Sequence, residues 1–282
     1  VSKNVLAVHD ISCIGRCSLT VALPILSYFG VETRLLPTAL LSTHTGGFTN
    51  FSYLDLTSEM EKIMSAWQPL DLQFDAIYSG FMATGEQIGV LKKMIQTYKT
   101  EENKIVIDPV MADNGQLYQV FDDAFVERMA ELVPFADVLT PNVTEACLLT
   151  KTPYQDDQHD SEFIATLLSK LLDQGAKAVV LTGIKTQKGK IGVAVSSDSE
   201  YRQKQNKVDF QTYLAEEFPG TFHGTGDIFG SVLTAQLLKS DNLFESAKVA
   251  VDFVWETIKA TPIDADRRFG VDFEQVLDSK QF

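Results

Sequence analysis

Apolar runs of strand length alternate with stripes of helical period along most of this 282-residue chain, and that alternation narrows it to one fold class. The first run, Asn4 to His9, is continuous and rich in Val and Leu, as a strand buried on both faces requires. Leu19, Leu23, Leu26 and Phe29 then recur at three- and four-residue spacing and stop at Gly30, which predicts a helix. Ala76–Ser79, Lys104–Ile107, Asp137–Thr140 and Ala178–Thr182 read as further short strands. Helices are predicted over 86–98 and 123–133, and on the stripe Phe163, Ile164, Leu167, Leu168, Leu171 and Leu172, which Gly175 closes. Two long helices, 228–238 and 244–260, end the pattern. Strands alternating with helices imply an α/β fold, a three-layer αβα sandwich whose central sheet is mainly parallel.

The alternation fails in two places. From Glu32 to Phe51 the chain is β-branched and polar, and from Lys185 to Asp209 it is polar with a brief apolar alternation at Ile191, Val193 and Val195. The second stretch reads as a hairpin at the sheet edge or beside a site. No linker-like segment or internal repeat interrupts the chain, so residues 1–282 are expected to form a single domain.

Charge and cysteine usage limit the partners. With 24 Lys plus Arg against 38 Asp plus Glu the net charge is −14, which disfavours nucleic acid but leaves a nucleotide open, since backbone amides, a cation or one Lys can hold phosphate locally. The three cysteines, Cys13, Cys17 and Cys147, have neither framework nor zinc-site spacing, so a reducing cytoplasm is expected. The run Val5–Val8 is too short for a signal-peptide core, and no stretch approaches the roughly 18 apolar residues of a membrane span. A soluble protein with no membrane partner is the expectation.

In parallel α/β sheets ligands sit beyond the carboxyl ends of the strands. Those positions here carry His9-Asp10, Ser79-Gly80-Phe81, Asp108-Pro109-Val110-Met111, Thr140-Pro141-Asn142 with Glu145, and Thr182-Gly183. A further segment, Phe222-His223-Gly224-Thr225-Gly226-Asp227, runs straight into an apolar helix. Glycines there leave amides uncovered at a helix N-terminus, which suits an anion, and a positive φ is expected at Gly226. Asp227 in the first turn is placed to take a proton from an alcohol attacking a phosphoryl group. A glycine-rich turn with Asp227 as a helix cap competes with that reading on equal terms. Neither a Walker-type Gly-x-x-x-x-Gly-Lys-Ser/Thr nor a Gly-x-Gly-x-x-Gly after the first strand occurs.

Taken together, Gly224-Thr225-Gly226-Asp227, Asp108-Pro109-Val110-Met111 and Thr140-Pro141-Asn142-Val143-Thr144-Glu145 stand in the order and spacing of the ribokinase-like superfamily. Within it the chain resembles the pyridoxal kinases, through His44-Thr45-Gly46, Ser79-Gly80-Phe81 and Gln116-Leu117-Tyr118, and the resemblance runs from Val5 to about Ala260. It implies ATP-dependent phosphorylation of the hydroxymethyl group of pyridoxal, with Mg²⁺ as cofactor and a homodimer as the usual assembly. Asp227 is then the catalytic base, and Gly224, Thr225 and Gly226 form the anion hole. Asp108, Asn142 and Glu145 organise Mg²⁺, partly through water. Asp113, Tyr118, Thr182 and Gly183 join Asp108, Asn142 and Thr225 around ATP, and the 185–209 hairpin flanks the nucleotide. Asp10, His44, Thr45 and Phe81 surround the pyridine ring beside Asp227. The chain departs from that family at Asp10, where Ser is usual, and at Ile14-Gly15-Arg16-Cys17, where a glycine-flanked run of small residues is usual. Hydroxymethylpyrimidine kinase, of the same fold, and a non-catalytic B6-binding regulatory protein are the alternatives. Retention of a base argues against the second.

Overall fold

The computed structural model describes residues 2–205 and 207–279; Asn206, inside the expected 185–209 hairpin, lies outside the described residues. The chain divides into two compact units, Val1–Asn103 with Phe218–Phe282, and Lys104–Glu217.

The first unit opens with β1 (Asn4–Ser12), α1 (Leu19–Tyr28) and β2 (Glu32–Leu41). It continues through β3 (Tyr53–Asp55), α2 (Thr57–Trp67), β4 (Ala76–Ser79) and α3 (Gly85–Tyr98). Strand order is β4-β1-β2-β3, with β1 parallel to both β4 and β2 and only β3 antiparallel. Val5, Leu6, Ala7 and Val8 of β1 are fully buried, as their unbroken apolar run requires, and each large one contributes about 1.5–3 kcal/mol by leaving water. Between β1 and β2 the register runs from Asn4 opposite Glu32 to His9 opposite Pro37, then slips opposite Asp10 and resumes with Ile11 opposite Leu40. Such an irregularity re-aims side chains at a strand's end. The segment 32–51, expected to break the alternation, thus contributes a ten-residue strand.

The second unit begins with β5 (Lys104–Ile107), the two-residue strands β6 (Ala112–Asp113) and β7 (Gln116–Leu117), and α4 (Asp123–Ala130). Then come β8 (Val138–Leu139), α5 (Val143–Thr150), α6 (Ser161–Asp173) and β9 (Ala178–Ile184). It closes with β10 (Lys190–Ser197), α7 (Asp198–Gln203) and β11 (Gln211–Glu216). Its strand order is β11-β10-β9-β8-β5, parallel across β5, β8 and β9 and antiparallel across β9, β10 and β11. The expected 185–209 hairpin is therefore redistributed. The reversal after Ile184 pairs β10 with β9, and α7 separates β10 from β11. The chain then returns to the first unit through α8 (Thr225–Leu237), α9 (Leu243–Ala260) and α10 (Phe273–Ser279), with α8 packed on α1 and α9. Mainly parallel α/β pairing follows the alternation read from sequence. Among the described residues no helix is long and apolar enough to cross a membrane.

Candidate active site

In the first unit the chemistry gathers where α8 begins. Its N-cap is Gly224, at φ 80 and ψ −4, so the left-handed turn expected at Gly226 belongs to Gly224, and Gly226 lies inside the helix. A side chain is barred at Gly224 twice over, because a Cβ there would also collide with the main-chain carbonyl of Arg16. The opening amides of Thr225, Gly226 and Asp227 have no carbonyl one turn earlier inside the helix to accept them, which leaves a concentrated donor surface.

Asp227 does not cap this helix. Its Oδ2 accepts the main-chain N–H of Ser18 at 2.8 Å, 209 residues away in sequence, which removes the competing reading in which the carboxylate only closes a turn. Burial pushes its carboxyl up to about 7, against the Ser18 amide that favours the anion and with the nearby charge of Asp10 adding to the rise. The side chain keeps 16% exposure.

Around Asp227 stand residues of β1 and the loop after it. His9 is fully buried with Nδ1 3.8 Å from Asp227 Oδ1, and burial lowers its imidazole to about 3, so the pair is a contact with a neutral ring and not an ion pair. The His9 ring lies edge-on to Tyr78 at 4.4 Å and fills the space a Cβ at Gly80 would need, which accounts for glycine in Ser79-Gly80-Phe81. Asp10, 4% exposed, accepts hydroxyl hydrogen bonds from Ser12 at 2.9 Å and from Ser18. Burial raises its carboxyl while those two hydroxyls oppose the rise.

His44 lies in the loop after β2, its ring 5.0 Å from His223 and 5.1 Å from Phe48, and its Nε2 is bonded to the Arg268 carbonyl. Thr45 follows it in the same loop, and Phe81, after β4, is tied through its carbonyl to Thr38 Oγ1 at 3.0 Å. Arg16 holds the loop from the other side. Its guanidinium pairs with Asp272 at 2.7 Å and Glu274 at 2.9 Å, and its amide donates to the Phe269 carbonyl at 2.9 Å. His223 and Arg16 stand inside segments singled out from sequence but with no role assigned to them, and Ser12, Ser18 and the 268–274 segment were not singled out. Of these only Ser18, a polar residue before an apolar helix stripe, carried a local signal, and it pointed to a helix cap.

The second unit holds the other expected residues. Asn142 and Glu145 form a capping box at the start of α5, Glu145 N–H donating to Asn142 Oδ1 at 2.9 Å and Asn142 N–H to Glu145 Oε2 at 2.9 Å. Glu145 Oε1 accepts the Met111 amide at 3.1 Å, and Asn142 Nδ2 donates to the Ala112 carbonyl at 2.8 Å, so the box also fixes the loop that follows Asp108. Burial pushes the Glu145 carboxyl upward against its main-chain donors. Thr182 N–H donates to the Pro141 carbonyl at 2.9 Å, and Gly183, at φ 75, faces open space where a Cβ would stand. Tyr118 N–H donates to the Met111 carbonyl at 2.9 Å, and Asp113 receives the Asn114 amide on the β6–β7 turn.

This donor set bears on Mg²⁺. Both Glu145 oxygens and both Asn142 side-chain atoms are already engaged within the protein, and among the described residues no group of three or more His, Cys, Asp or Glu is arranged to hold a metal. A closed protein cage is absent among them. The arrangement fits a hard cation that keeps most of its waters and is held chiefly by phosphate oxygens, which is how Mg²⁺ binds beside nucleotides. Replacing Asn142 by Ala should remove a cap and strand the Ala112 carbonyl, costing on the order of 1–3 kcal/mol and lowering the melting temperature by several degrees. Asn142→Ser, which retains a capping oxygen, should recover part of the loss. Equal melting temperatures for Asn142→Ala and wild type would show the box to be idle.

A family model described as phosphomethylpyrimidine kinase matches residues 25–270. A Bacteroides thetaiotaomicron protein provisionally named a phosphomethylpyrimidine kinase, and solved with pyridoxal, superposes at TM-score 0.91 and 38% identity, over 99% of this chain and 96% of that one. Pyridoxal kinase from Lactobacillus plantarum superposes at TM-score 0.87 and 30% identity, over 98% and 96%. A Staphylococcus aureus hydroxymethylpyrimidine/phosphomethylpyrimidine kinase is 26% identical over 234 residues, 83% of this chain and 79% of that protein.

Proposed function

This chain belongs to the phosphomethylpyrimidine kinase family and is a phosphotransferase of that fold, and from this we propose that it uses ATP to phosphorylate the hydroxymethyl group of pyridoxal. The observation that carries the proposal is the Asp227 carboxyl, set in the opening turn of α8, held by a main-chain amide and raised to about 7. A base with that affinity accepts the proton of an attacking alcohol near neutral pH, and the adjacent helix-opening amides of Thr225 to Asp227 stabilise the oxygens of the phosphoryl group being transferred. Asp10, His44, Thr45 and Phe81 are assigned to the pyridine ring. Asp108, Asn142 and Glu145 would hold Mg²⁺, chiefly through water, with Asp113, Tyr118, Thr182 and Gly183 assigned to the nucleotide. When bound, the ion neutralises charge on the ATP phosphates.

Pyridoxal is favoured over hydroxymethylpyrimidine because the Bacteroides relative was solved with pyridoxal and the Lactobacillus relative is a pyridoxal kinase. Hydroxymethylpyrimidine remains the second reading, supported by the family model and the Staphylococcus relative. Steady-state turnover of the purified protein with ATP and Mg²⁺ on pyridoxal, pyridoxine and hydroxymethylpyrimidine separates the two. We expect kcat/KM for pyridoxal to exceed that for hydroxymethylpyrimidine by about tenfold or more, since a site built around one ring's polar edge penalises the other. Below about pH 7, kcat/KM should fall roughly tenfold per unit as Asp227 takes up a proton. Preference for hydroxymethylpyrimidine would overturn the substrate assignment, and a flat profile from pH 5 to 8 would overturn the role of Asp227.

A further inference from the structure

Ser18 stands immediately before α1, where a serine ordinarily turns its hydroxyl onto the helix-opening amides. Here it makes no such cap. Its backbone sits at φ 54 and ψ −135, a conformation that residues with a side chain rarely adopt and that persists where surroundings impose it. The result of this twist is that the main-chain N–H reaches Asp227 Oδ2 at 2.8 Å while the hydroxyl of the same residue reaches Asp10 Oδ1. We propose that Ser18 is a positioning residue that aims the base by clamping Asp227 and Asp10 side by side, its amide on one carboxylate and its hydroxyl on the other.

The clamp assigns the two carboxylates different work. Asp10 receives hydroxyl donors on both oxygens, from Ser18 and Ser12, which favour its charged form against the burial that raises its carboxyl. Asp227 receives a single amide, keeps an opening to solvent, and feels that charge. The other titratable groups facing Asp227 are His9 from β1 and Cys17 from the loop, and burial keeps both neutral near pH 7. Negative charge on a neighbouring carboxyl makes a base hold its proton more tightly, and Asp10 adds in this way to the rise that burial gives Asp227. Asp10 therefore acts on the base as well as on the substrate, which accounts for Asp at a place where the resembling family carries Ser.

This inference rests on Asp227 being the base, and its test reads the carboxyl directly. The ¹³C resonance of the Asp227 carboxyl, assigned by its loss in Asp227→Asn, is titrated in wild type, Asp10→Asn and Ser18→Gly. Glycine keeps the amide and accepts the left-handed backbone, so Ser18→Gly deletes the hydroxyl alone. Asp10→Asn should move the Asp227 midpoint down by about one pH unit or more. Ser18→Gly should lower it too, because Asp10 without its donor competes for the proton. In Ser18→Gly, kcat on the alcohol should fall about tenfold while KM for ATP stays within about twofold, a split that general loosening of the fold does not produce. An unchanged Asp227 midpoint in both variants overturns the clamp, whatever turnover does. Absence of turnover in wild type on every alcohol tried would overturn the functional reading instead, and the titration would still decide the clamp.

Discussion

Asp227→Asn is expected to lower turnover about 10²- to 10⁴-fold, the range for loss of a general base, and at the same time to make the protein more stable above pH 7. The second effect follows from the first. The folded carboxyl titrates at about 7 against an ordinary value of 3.8, so between those values the native state keeps a proton that the unfolded chain has released. Stability from this group is complete below the unfolded value and drains away as pH rises through the window, and above 7 the fold carries a mostly buried anion. Asparagine has no charge to desolvate, and its Oδ1 still accepts the Ser18 amide. The gain above pH 7 should be on the order of 1–3 kcal/mol, discounting the full shift for the carboxyl's partial exposure. Turnover together with melting temperatures at acid and alkaline pH tests both halves. A variant with wild-type turnover removes Asp227 from the chemistry, and a melting-temperature difference that does not grow with pH removes the raised carboxyl.

A large loss of stability from a single methyl group is expected at Gly224. Alanine there must adopt φ 80 and must also push its Cβ into the Arg16 carbonyl, which is backbone and has little room to retreat. A cost of about 3–5 kcal/mol, a fall of about 10 °C and loss of kinase activity are expected together, since the same turn presents the amides of the cradle. Gly226→Ala supplies the contrast. That residue is inside α8, where Ala is favoured over Gly by up to about 1 kcal/mol, so its melting temperature should hold or rise while KM for ATP increases. If Gly224→Ala melts with the wild type, the turn is less constrained than its geometry indicates.

Much of this architecture was legible in the sequence because it is written locally. The stripe from Phe163 to Leu172 became α6, its six apolar positions all buried, and Gly30 and Gly175 follow helix ends at positive φ. β2 was not legible. Glu32, Arg34 and Pro37 interrupt its apolar pattern, yet pairing with the buried β1 makes it a strand, an override of local preference by tertiary context. The strand-end residues of the candidate site were found by position alone, whereas their partners were not. Nothing periodic connects Ser18 to Asp227, or Arg16 to Asp272 and Glu274, and a loop carbonyl that forbids a side chain at Gly224 leaves its trace only as a glycine.

Arg16 also links events in time. Four of the groups that fix the loop bearing Arg16 and Ser18, namely Asp227, Phe269, Asp272 and Glu274, are synthesised more than two hundred residues after it. Throughout that interval the loop lacks those four partners and has only near neighbours such as Asp10 to hold it, and at synthesis rates of about 5–20 residues per second the wait lasts on the order of ten seconds or more. A nascent chain halted anywhere before Glu274 therefore lacks a complete mooring for its acceptor loop. Ribosome-bound fragments ending in that region are expected to lack phosphotransferase activity, which a turnover assay on stalled chains of increasing length would check.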